Sequence, residues 1–264
     1  MEIGGIRMNI KQIISGFLMI FLSAFLIIFT IGTSITMNIN PSKILNAMEK
    51  VNYINNAEIN AREVLINYLP DEKVEELLEN TSISSQIREM VSGIDNNTVE
   101  KIANEKKQEV KIQIINILDE SIDDNNKEMF ADTVSSAYIK AIFPTTEFSL
   151  VGKINAEYSQ KIVLALTVIV ILSLSIIIFM YYRKKTFKWA IISLYNSIIF
   201  NLIAIFSLGI FDNITIGNKN TTALILKLLA QVKANIATQV AITVVVAIFF
   251  NYIAYFRKRK HKNK

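Results

Sequence analysis

The sequence predicts an all-α membrane protein: four transmembrane helices, with an all-helical extracytoplasmic domain inserted between the first and second spans. Three observations predict this fold. The chain is 52% hydrophobic and only 19% charged, whereas a soluble domain is about 25% charged. The apolar surplus lies in four blocks, each long enough to cross a bilayer, which takes about 20 apolar residues. Between the first two blocks, apolar residues recur at spacings of three and four, the helical period, and never alternate as in a strand.

Charge is sharply segregated along the chain. Residues 37–159 carry 12 Lys/Arg and 21 of the 23 Asp/Glu, a net charge of −9, although the whole chain is at +5. The remaining basic residues flank the apolar blocks, as residues that orient membrane spans do. The basic pI of about 9.2 is therefore attributed to membrane topology, and no nucleic-acid partner is predicted. The chain has no cysteine, which excludes thiol nucleophiles and disulfides. Together with the richness in Ile, Asn and Lys, this favours a bacterial source.

The first span is predicted over Ile13–Ile35, after the basic residues Arg7 and Lys11. This run is longer than the apolar core of a cleaved signal peptide, which has about 7–15 residues. It therefore favours an uncleaved anchor, although the small residues of 32–34 leave cleavage as the alternative. We assign 1–36 to a cytoplasmic N-terminus and the first transmembrane helix.

The domain over 37–160 is predicted to consist of amphipathic helices. Pro70 ends a stripe that begins at Ile44, and Pro144 ends one that begins at Phe130, because the residue before proline avoids the helical region. Thr98 is the predicted N-cap of a helix between them.

The two connections between this domain and its flanking spans differ in their sequence pattern. No Pro or Gly interrupts 153–182, so one continuous helix is predicted to run from the domain into the second span. The first span instead exits through 38–41, where Asn40-Pro41 predicts a break.

Residues 161–264 are predicted to form a three-span membrane region with spans at 162–182, 189–211 and 236–256. The segment 223–234 is amphipathic, and it either lies on the membrane surface or extends the fourth span.

Basic residues set the predicted orientation, since cytoplasmic loops are enriched in Lys and Arg. With the N-terminus inside, the short inner segments hold nearly all of the flanking basic residues. The protein is therefore predicted in the cell membrane, with both termini cytoplasmic and 37–160 extracytoplasmic. The predicted cytoplasmic anchors are Arg183, Lys184, Lys185, Lys188, Arg257, Lys258, Arg259 and Lys260.

Neutral polar residues recur at steps of four or eight in the third and fourth spans, which places each set on one helix face. They are Ser193, Ser197, Asn201, Gln239, Thr243 and Asn251. Small and amide side chains commonly hold membrane helices together, so these faces are predicted to pack against each other, with Gln239 at the height of Ser207. The alternative is a polar pathway. No ionisable residue lies deep in a span, which argues against ion-driven transport.

No catalytic, cofactor or metal-binding motif stands out, so neither a cofactor nor an enzymatic activity is predicted. The acidic cluster that begins at Asp119 and ends at Glu128 lacks the sixth-position glycine of an EF-hand loop, and a solvated turn is the preferred interpretation. The one histidine, His261, lies in the basic tail.

The function predicted from these features is non-enzymatic: an extracytoplasmic domain that senses or binds a ligand, or scaffolds a membrane complex. The bilayer and a protein partner or a second copy of the chain are the expected partners. The alternative is a channel-like or ABC-permease-like transport subunit. The order of one span, a large outer domain and three spans is similar to that of permeases of the cell-division ABC type. The six-residue loop 183–188 and the all-helical outer domain depart from that pattern.

Overall fold

The structure, a computed structural model, describes residues 10–118, 123–182 and 186–262. In these residues the chain forms ten α-helices, one 3-10 turn and no strand. The helices are α1 Ile10–Asn38, α2 Pro41–Lys50, α3 Tyr53–Leu65, α4 Asp71–Asn80, α5 Ile83–Ser92, α6 Val99–Ile117, α7 Asp124–Ile142, α8 Thr145–Tyr182, α9 Thr186–Gly209 and α10 Lys219–Lys262, and the 3-10 turn is Ile210–Asn213. The all-α prediction is confirmed for this part of the chain.

Within the described residues, four helices are long and apolar enough to cross a membrane. These segments are Ile13–Asn38, Thr145–Ile176, Lys188–Asn213 and Lys219–Phe256. Large apolar side chains on them are exposed, among them Val163, Phe206 and Val245, and such side chains would contact acyl chains in a bilayer. The number and order of the predicted spans are confirmed, and the chain has the character of a multi-pass membrane protein.

The chain divides into two compact units. The spanning unit comprises Met1–Ile35, Tyr158–Asp212 and Gln231–Lys264, and the helical unit comprises Thr36–Glu157 and Asn213–Ala230. Three helices, α1, α8 and α10, contribute residues to both units.

The helical unit begins with a sharp entry into α2. Pro41 occupies the start of the helix, and the side chain of Asn40 accepts a hydrogen bond from the Lys43 amide at 3.0 Å, which is a standard N-cap. The predicted break between the first span and the domain is confirmed, because α1 ends at Asn38.

A second break divides the stripe predicted to run from Ile44 to Pro70. Asn52 adopts the left-handed conformation (φ 51°) between α2 and α3, a region that asparagine enters more readily than most residues. The apolar spacing of 44–68 does not reveal this break, because Met48, Tyr53 and Ala57 are all buried on either side of it.

Thr98 occupies the predicted N-cap position of α6, but its side chain makes no capping hydrogen bond to the helix. Its hydroxyl instead approaches the Gly93 carbonyl at 3.5 Å. The helix start was therefore predicted correctly and its capping bond was not.

The core of the helical unit is built from α2–α8 and from the start of α10. Leu224 is fully buried and Leu228 is 7% exposed, both in the same cluster as the side chains of α2–α8. The Asn220 amide donates to the backbone carbonyl of Tyr53 at 3.0 Å, and the Asn56 amide donates to Asn220 Oδ1 at 3.3 Å. The amphipathic segment that begins at 223 is continuous with the helix of the fourth span, which confirms the second of its two predicted alternatives, and its leucines pack in the core of the helical unit.

The helix α8 runs without interruption over 38 residues from Thr145 to Tyr182. Pro144 separates it from α7, and its first helical hydrogen bond joins the Phe148 amide to the Pro144 carbonyl at 3.1 Å. The prediction of a continuous helix over 153–182 is confirmed.

In the spanning unit, apolar side chains form two clusters. One holds Ile198 of α9 with Val232, Ile236, Val240 and Ala247 of α10, and the other holds Leu22 of α1 with Leu172 and Ile176 of α8. The third and fourth spans therefore pack directly. Beyond α9, Asp212 forms an ion pair with Lys233 of α10, with Nζ–O distances of 2.5 and 2.7 Å.

Candidate functional site

The helical unit contains a cleft of about 430 Å³, lined by residues of α6 and α7, by the start of α8 and by the turn that leads into α10. Its lining residues are Ala103, Asn104, Lys107, Ser136, Ile139, Lys140, Phe143, Pro144, Thr145, Thr146, Glu147, Gly217, Asn218 and Thr221. Clefts that hold small molecules typically measure about 300–1,000 Å³. The cleft is therefore large enough for a small solute.

The first turn of α8 presents two backbone amides that lack an acceptor. Pro144 precedes the helix and has no side-chain oxygen to cap it. The Thr145 amide bonds to the Phe143 carbonyl at 2.9 Å, and the next amide with a backbone acceptor belongs to Phe148. The amides of Thr146 and Glu147 bond to no described residue. They are orphan donors of the kind that every helix start must leave or cap.

The first turn of α10 is, by contrast, capped by its own side chains. Gly217 is in the left-handed region (φ 63°), and Asn218 Oδ1 then accepts from the Thr221 amide at 2.8 Å. The Thr222 hydroxyl links the turn to both backbone groups of Ile216 at 2.9 and 3.0 Å. This turn is therefore a fixed wall of the cleft.

Three ionisable side chains line the cleft. Lys107 pairs with Asp132 at 2.8 Å, and the hydrogen bond from this ammonium lowers the pKa of the Asp132 carboxyl. Lys140 is exposed, and Glu147 is half-buried opposite Gly217. Two lysines and one glutamate thus line a cleft in a domain that is otherwise strongly acidic.

A buried threonine hydroxyl lies against a buried phenol beside the cleft. Thr221 is 1% exposed, and its side chain interacts with the Tyr53 phenol. That phenol donates a hydrogen bond to the Ile142 carbonyl at 3.3 Å. Burial raises the pKa of this phenol, so Tyr53 remains neutral at physiological pH.

The polar residues predicted as site candidates in the third and fourth spans lie in the spanning unit. Ser193, Ser197 and Asn201 of α9 are all at most 2% exposed. The Ser193 hydroxyl donates to the Met19 carbonyl of α1 at 3.1 Å, and the Asn201 amide donates within its own helix to Ser197 Oγ at 3.2 Å.

The Gln239 side chain of α10 bonds to α1 and not to α9. Its amide nitrogen donates to Thr33 Oγ1 at 2.9 Å and to Ser34 Oγ at 3.2 Å. The sequence instead predicted that Gln239 faces α9 at the height of Ser207. Thr243 donates to the Gln239 carbonyl at 2.8 Å in the same helix. Asn251 donates to the Tyr195 hydroxyl of α9 at 2.8 Å, which is a direct polar link between the third and fourth spans.

The first span supplies polar partners that the sequence analysis did not single out. Its buried polar residues are Ser15, Ser23, Thr30, Thr33, Ser34 and Asn38. Most of their spacings are three, four, seven or eight, which places them on one helix face. The same periodicity that marked α9 and α10 was therefore present in α1.

We expect Gln239→Leu to destabilise the spanning unit by about 1 kcal/mol, because interhelical hydrogen bonds in membrane proteins contribute about 0.6 kcal/mol each. Asn201→Leu should cost less, since Asn201 bonds within its own helix and its Oδ1 lacks a partner among the described residues. The free energy of unfolding of both variants can be measured by titration with SDS in mixed micelles. A larger loss for Asn201→Leu than for Gln239→Leu would contradict this assignment.

The remaining candidates of the sequence analysis carry no site in the described residues. Lys188 is exposed at the start of α9, and Arg257–Lys260 belong to the last turns of α10. Arg183, Lys184 and Lys185 lie outside the described residues, as do Asp119 and Glu120 of the acidic cluster. Among the residues that are described, no three His, Cys, Asp or Glu side chains are placed to hold a metal ion.

Comparisons of the chain with family models, with curated proteins and with solved structures found no match.

Proposed function

We propose that the protein is a non-enzymatic membrane receptor, whose helical unit binds a small solute in the cleft on the extracytoplasmic side and relays its occupancy to a partner. One observation carries the proposal. The cleft is lined by the first turns of α8 and α10, and these two helices continue without a break to Tyr182 and Lys262 in the spanning unit. A solute in the cleft would therefore contact the starts of two membrane-spanning helices.

Burial in the spanning unit favours this function over a transport subunit. A polar pathway requires polar side chains that face a lumen. Ser193, Ser197 and Asn201 are instead enclosed, with serine hydroxyls and the asparagine amide engaged in hydrogen bonds. Buried, bonded polar groups are typical of helix packing in membranes.

The proposed receptor transmits its signal to another protein or to a second copy of the chain. The segment 183–188 and the basic residues after Phe256 are the short stretches of sequence available on the proposed cytoplasmic side. The basic tail would also bind anionic lipid headgroups, at about 1 kcal/mol per basic residue near the surface.

We expect a cysteine introduced at Met129 to react with a membrane-impermeant maleimide in intact cells, because the proposed orientation places the helical unit outside. Met129 is 74% exposed, and the chain has no native cysteine, so the label reports one position. The matched variant Lys188→Cys, at the proposed inner side, should react only after the cells are opened. The reverse pattern would contradict the orientation.

We expect a Gly-Pro insertion after Gln160 to abolish coupling between the two ends of α8, since proline and glycine interrupt a helix. Spin labels at Lys188→Cys and Tyr252→Cys, both exposed positions, would report the distance between the ends of α9 and α10. A solute that binds the cleft should shift this distance less in the insertion variant than in the parent chain, because only α10 remains continuous there. An equal shift in both proteins would show that α8 does not carry the relay.

A further inference from the structure

We propose that one water molecule binds between α1, α9 and α10, hydrogen-bonded to the side-chain amide of Asn201 and to the hydroxyls of Thr30 and Thr243. All three residues belong to the spanning unit, whereas the cleft belongs to the helical unit. The inference therefore goes beyond the proposed function, and its test does not depend on a solute in the cleft.

The Asn201 amide is the observation that carries this inference. The residue is 2% exposed, and its Nδ2 donates to Ser197 Oγ at 3.2 Å, while its Oδ1 bonds to no described residue. Whichever way the amide is turned, only one of its two ends can bond to that hydroxyl. A buried amide group without a partner is costly, most of all in a bilayer, where bulk water cannot solvate it. The free end therefore needs a small polar partner.

Asn201 lies on the face of α9 that packs inside the bundle. Ile198 belongs to an apolar cluster with Val240 of α10, and Ile205 packs against the same cluster, as does Ile35 of α1. Asn201 comes three residues after Ile198 and four before Ile205, which places it on their face of the helix. Its free amide end is thus enclosed by α1 and α10 and does not face acyl chains.

The first span brings a hydroxyl to the height of Asn201. The Ser23 hydroxyl of α1 contacts the Ser193 carbonyl of α9 at 3.4 Å. Further along, Ile35 still packs with the later residues of α9, so the two helices run in the same direction. Thr30 follows Ser23 by seven residues and Asn201 follows Ser193 by eight, and one residue advances a helix by about 1.5 Å. Thr30, which is 5% exposed, therefore lies level with Asn201.

The fourth span brings a second hydroxyl to the same height. Gln239 of α10 donates to Ser34 Oγ at 3.2 Å, and Asn251, further along α10, bonds to the first half of α9. The fourth span thus runs opposite to the other two helices. Thr243, four residues beyond Gln239, is therefore level with Thr30, four residues before Ser34. Its hydroxyl donates to the Gln239 carbonyl at 2.8 Å, and its oxygen can still accept a hydrogen bond.

Water is the occupant that fits this layer of one amide and two hydroxyls. A buried water typically makes about three hydrogen bonds to polar groups that are otherwise unsatisfied. A cation would need a balancing charge in so apolar a site, and the sequence places no carboxylate near these three positions. The apolar cluster encloses the layer, so it holds an isolated water and not a polar pathway.

Solid-state NMR of the full-length protein in lipid bilayers tests the site, with ¹⁵N-labelled Asn and Ile. The readout is the rate at which proton magnetisation passes from water to each amide at short mixing times. We expect faster transfer to the Asn201 side chain than to the backbone amides of Ile198 and Ile205, which lie at a similar depth on the same helix. Transfer no faster than to these isoleucines would show that the layer is dry and would overturn the inference.

Three valine variants test the two hydroxyl partners. Thr30→Val and Thr243→Val each replace a hydroxyl with a methyl group, so each should slow the transfer to Asn201, and the double variant should abolish it. The matched control is Thr238→Val, because Thr238 is exposed and its hydroxyl bonds to the Ala234 carbonyl of its own helix. It should leave the transfer unchanged. An equal effect of Thr238→Val and Thr243→Val would overturn the assignment, as would unchanged transfer in the double variant.

Exchange of sodium for N-methylglucamine in the buffer distinguishes water from a bound cation. We expect the Asn201 side-chain resonances to keep their positions, because a neutral water is the ligand. A shift that followed the sodium concentration would identify a cation at this layer and would overturn the assignment of water. Both this measurement and the transfer rate are made on the parent chain, so they decide the question even if a valine variant fails to fold.

Discussion

Replacing Leu224 with alanine is expected to destabilise the helical unit by about 2–5 kcal/mol, the usual cost of a buried leucine. Leu224 is fully buried in the core of this unit, although more than sixty residues separate it from the end of that unit's first segment at Glu157. Its loss leaves a cavity against side chains of other helices, which a rigid core refills only in part.

Hydrogen exchange measured by mass spectrometry would test this expectation in the full-length protein. Amides of α2–α7 should exchange faster in Leu224→Ala, and those of α9 should not. The matched control is Leu150→Ala, because Leu150 belongs to the same unit but is 54% exposed. Unchanged protection of α2–α7 in Leu224→Ala would mean that the segment 213–230 does not contribute to the core.

Replacing Gly32 with leucine is expected to disrupt the packing of α1 against α8 within the spanning unit. A Cβ at Gly32 would lie 2.7 Å from Cγ1 and 3.2 Å from Cδ1 of Ile162, and 3.5 Å from the Tyr158 ring. Small residues allow membrane helices to approach closely. Overpacking a tight contact costs about 1–3 kcal/mol. Leucine would add three further carbons to the Cβ that already overlaps Ile162.

Gly16 provides a matched control in the same helix, because a Cβ added there meets nothing within 4 Å. Both substitutions replace glycine with leucine and therefore gain the same helix propensity. The difference between their unfolding midpoints thus reports the contact with Ile162. Thermal unfolding in detergent should give a lower midpoint for Gly32→Leu than for Gly16→Leu. Equal midpoints would show that α1 and α8 do not pack at this glycine in solution.

The sequence predicted those features that depend on local chemistry. Apolar length identified the four candidate spans, since crossing a bilayer takes about 20 apolar residues. Pro41 and Pro144 marked helix boundaries because proline lacks an amide proton. The break at Asn52 was missed, since one left-handed residue need not disturb the spacing of the apolar side chains around it.

The features that depend on tertiary packing were not predictable in the same way. The leucines at 224 and 228 form an apolar stripe, and a stripe shows that a helix face is buried without showing what covers it. The cleft escaped prediction because its lining combines residues from 103–147 with residues from 217–221, and no motif connects them. The polar partners of Gln239 lie on α1, whereas the polar faces that indicated helix packing lie on α9 and α10.

The continuity of α8 constrains how this chain can change in length. An α-helix turns by 100° per residue, and α8 buries Phe148 and Ser149 in the helical unit and Ala165 and Leu172 in the spanning unit. One residue inserted between 153 and 161 would rotate the helix face of Phe148 by about 100° relative to the face of Ala165. An insertion of seven residues would return the two faces to within about 20° of their present alignment. Homologous chains should therefore vary here in steps of near-whole turns, and the non-helical segment 39–40 is free of that constraint.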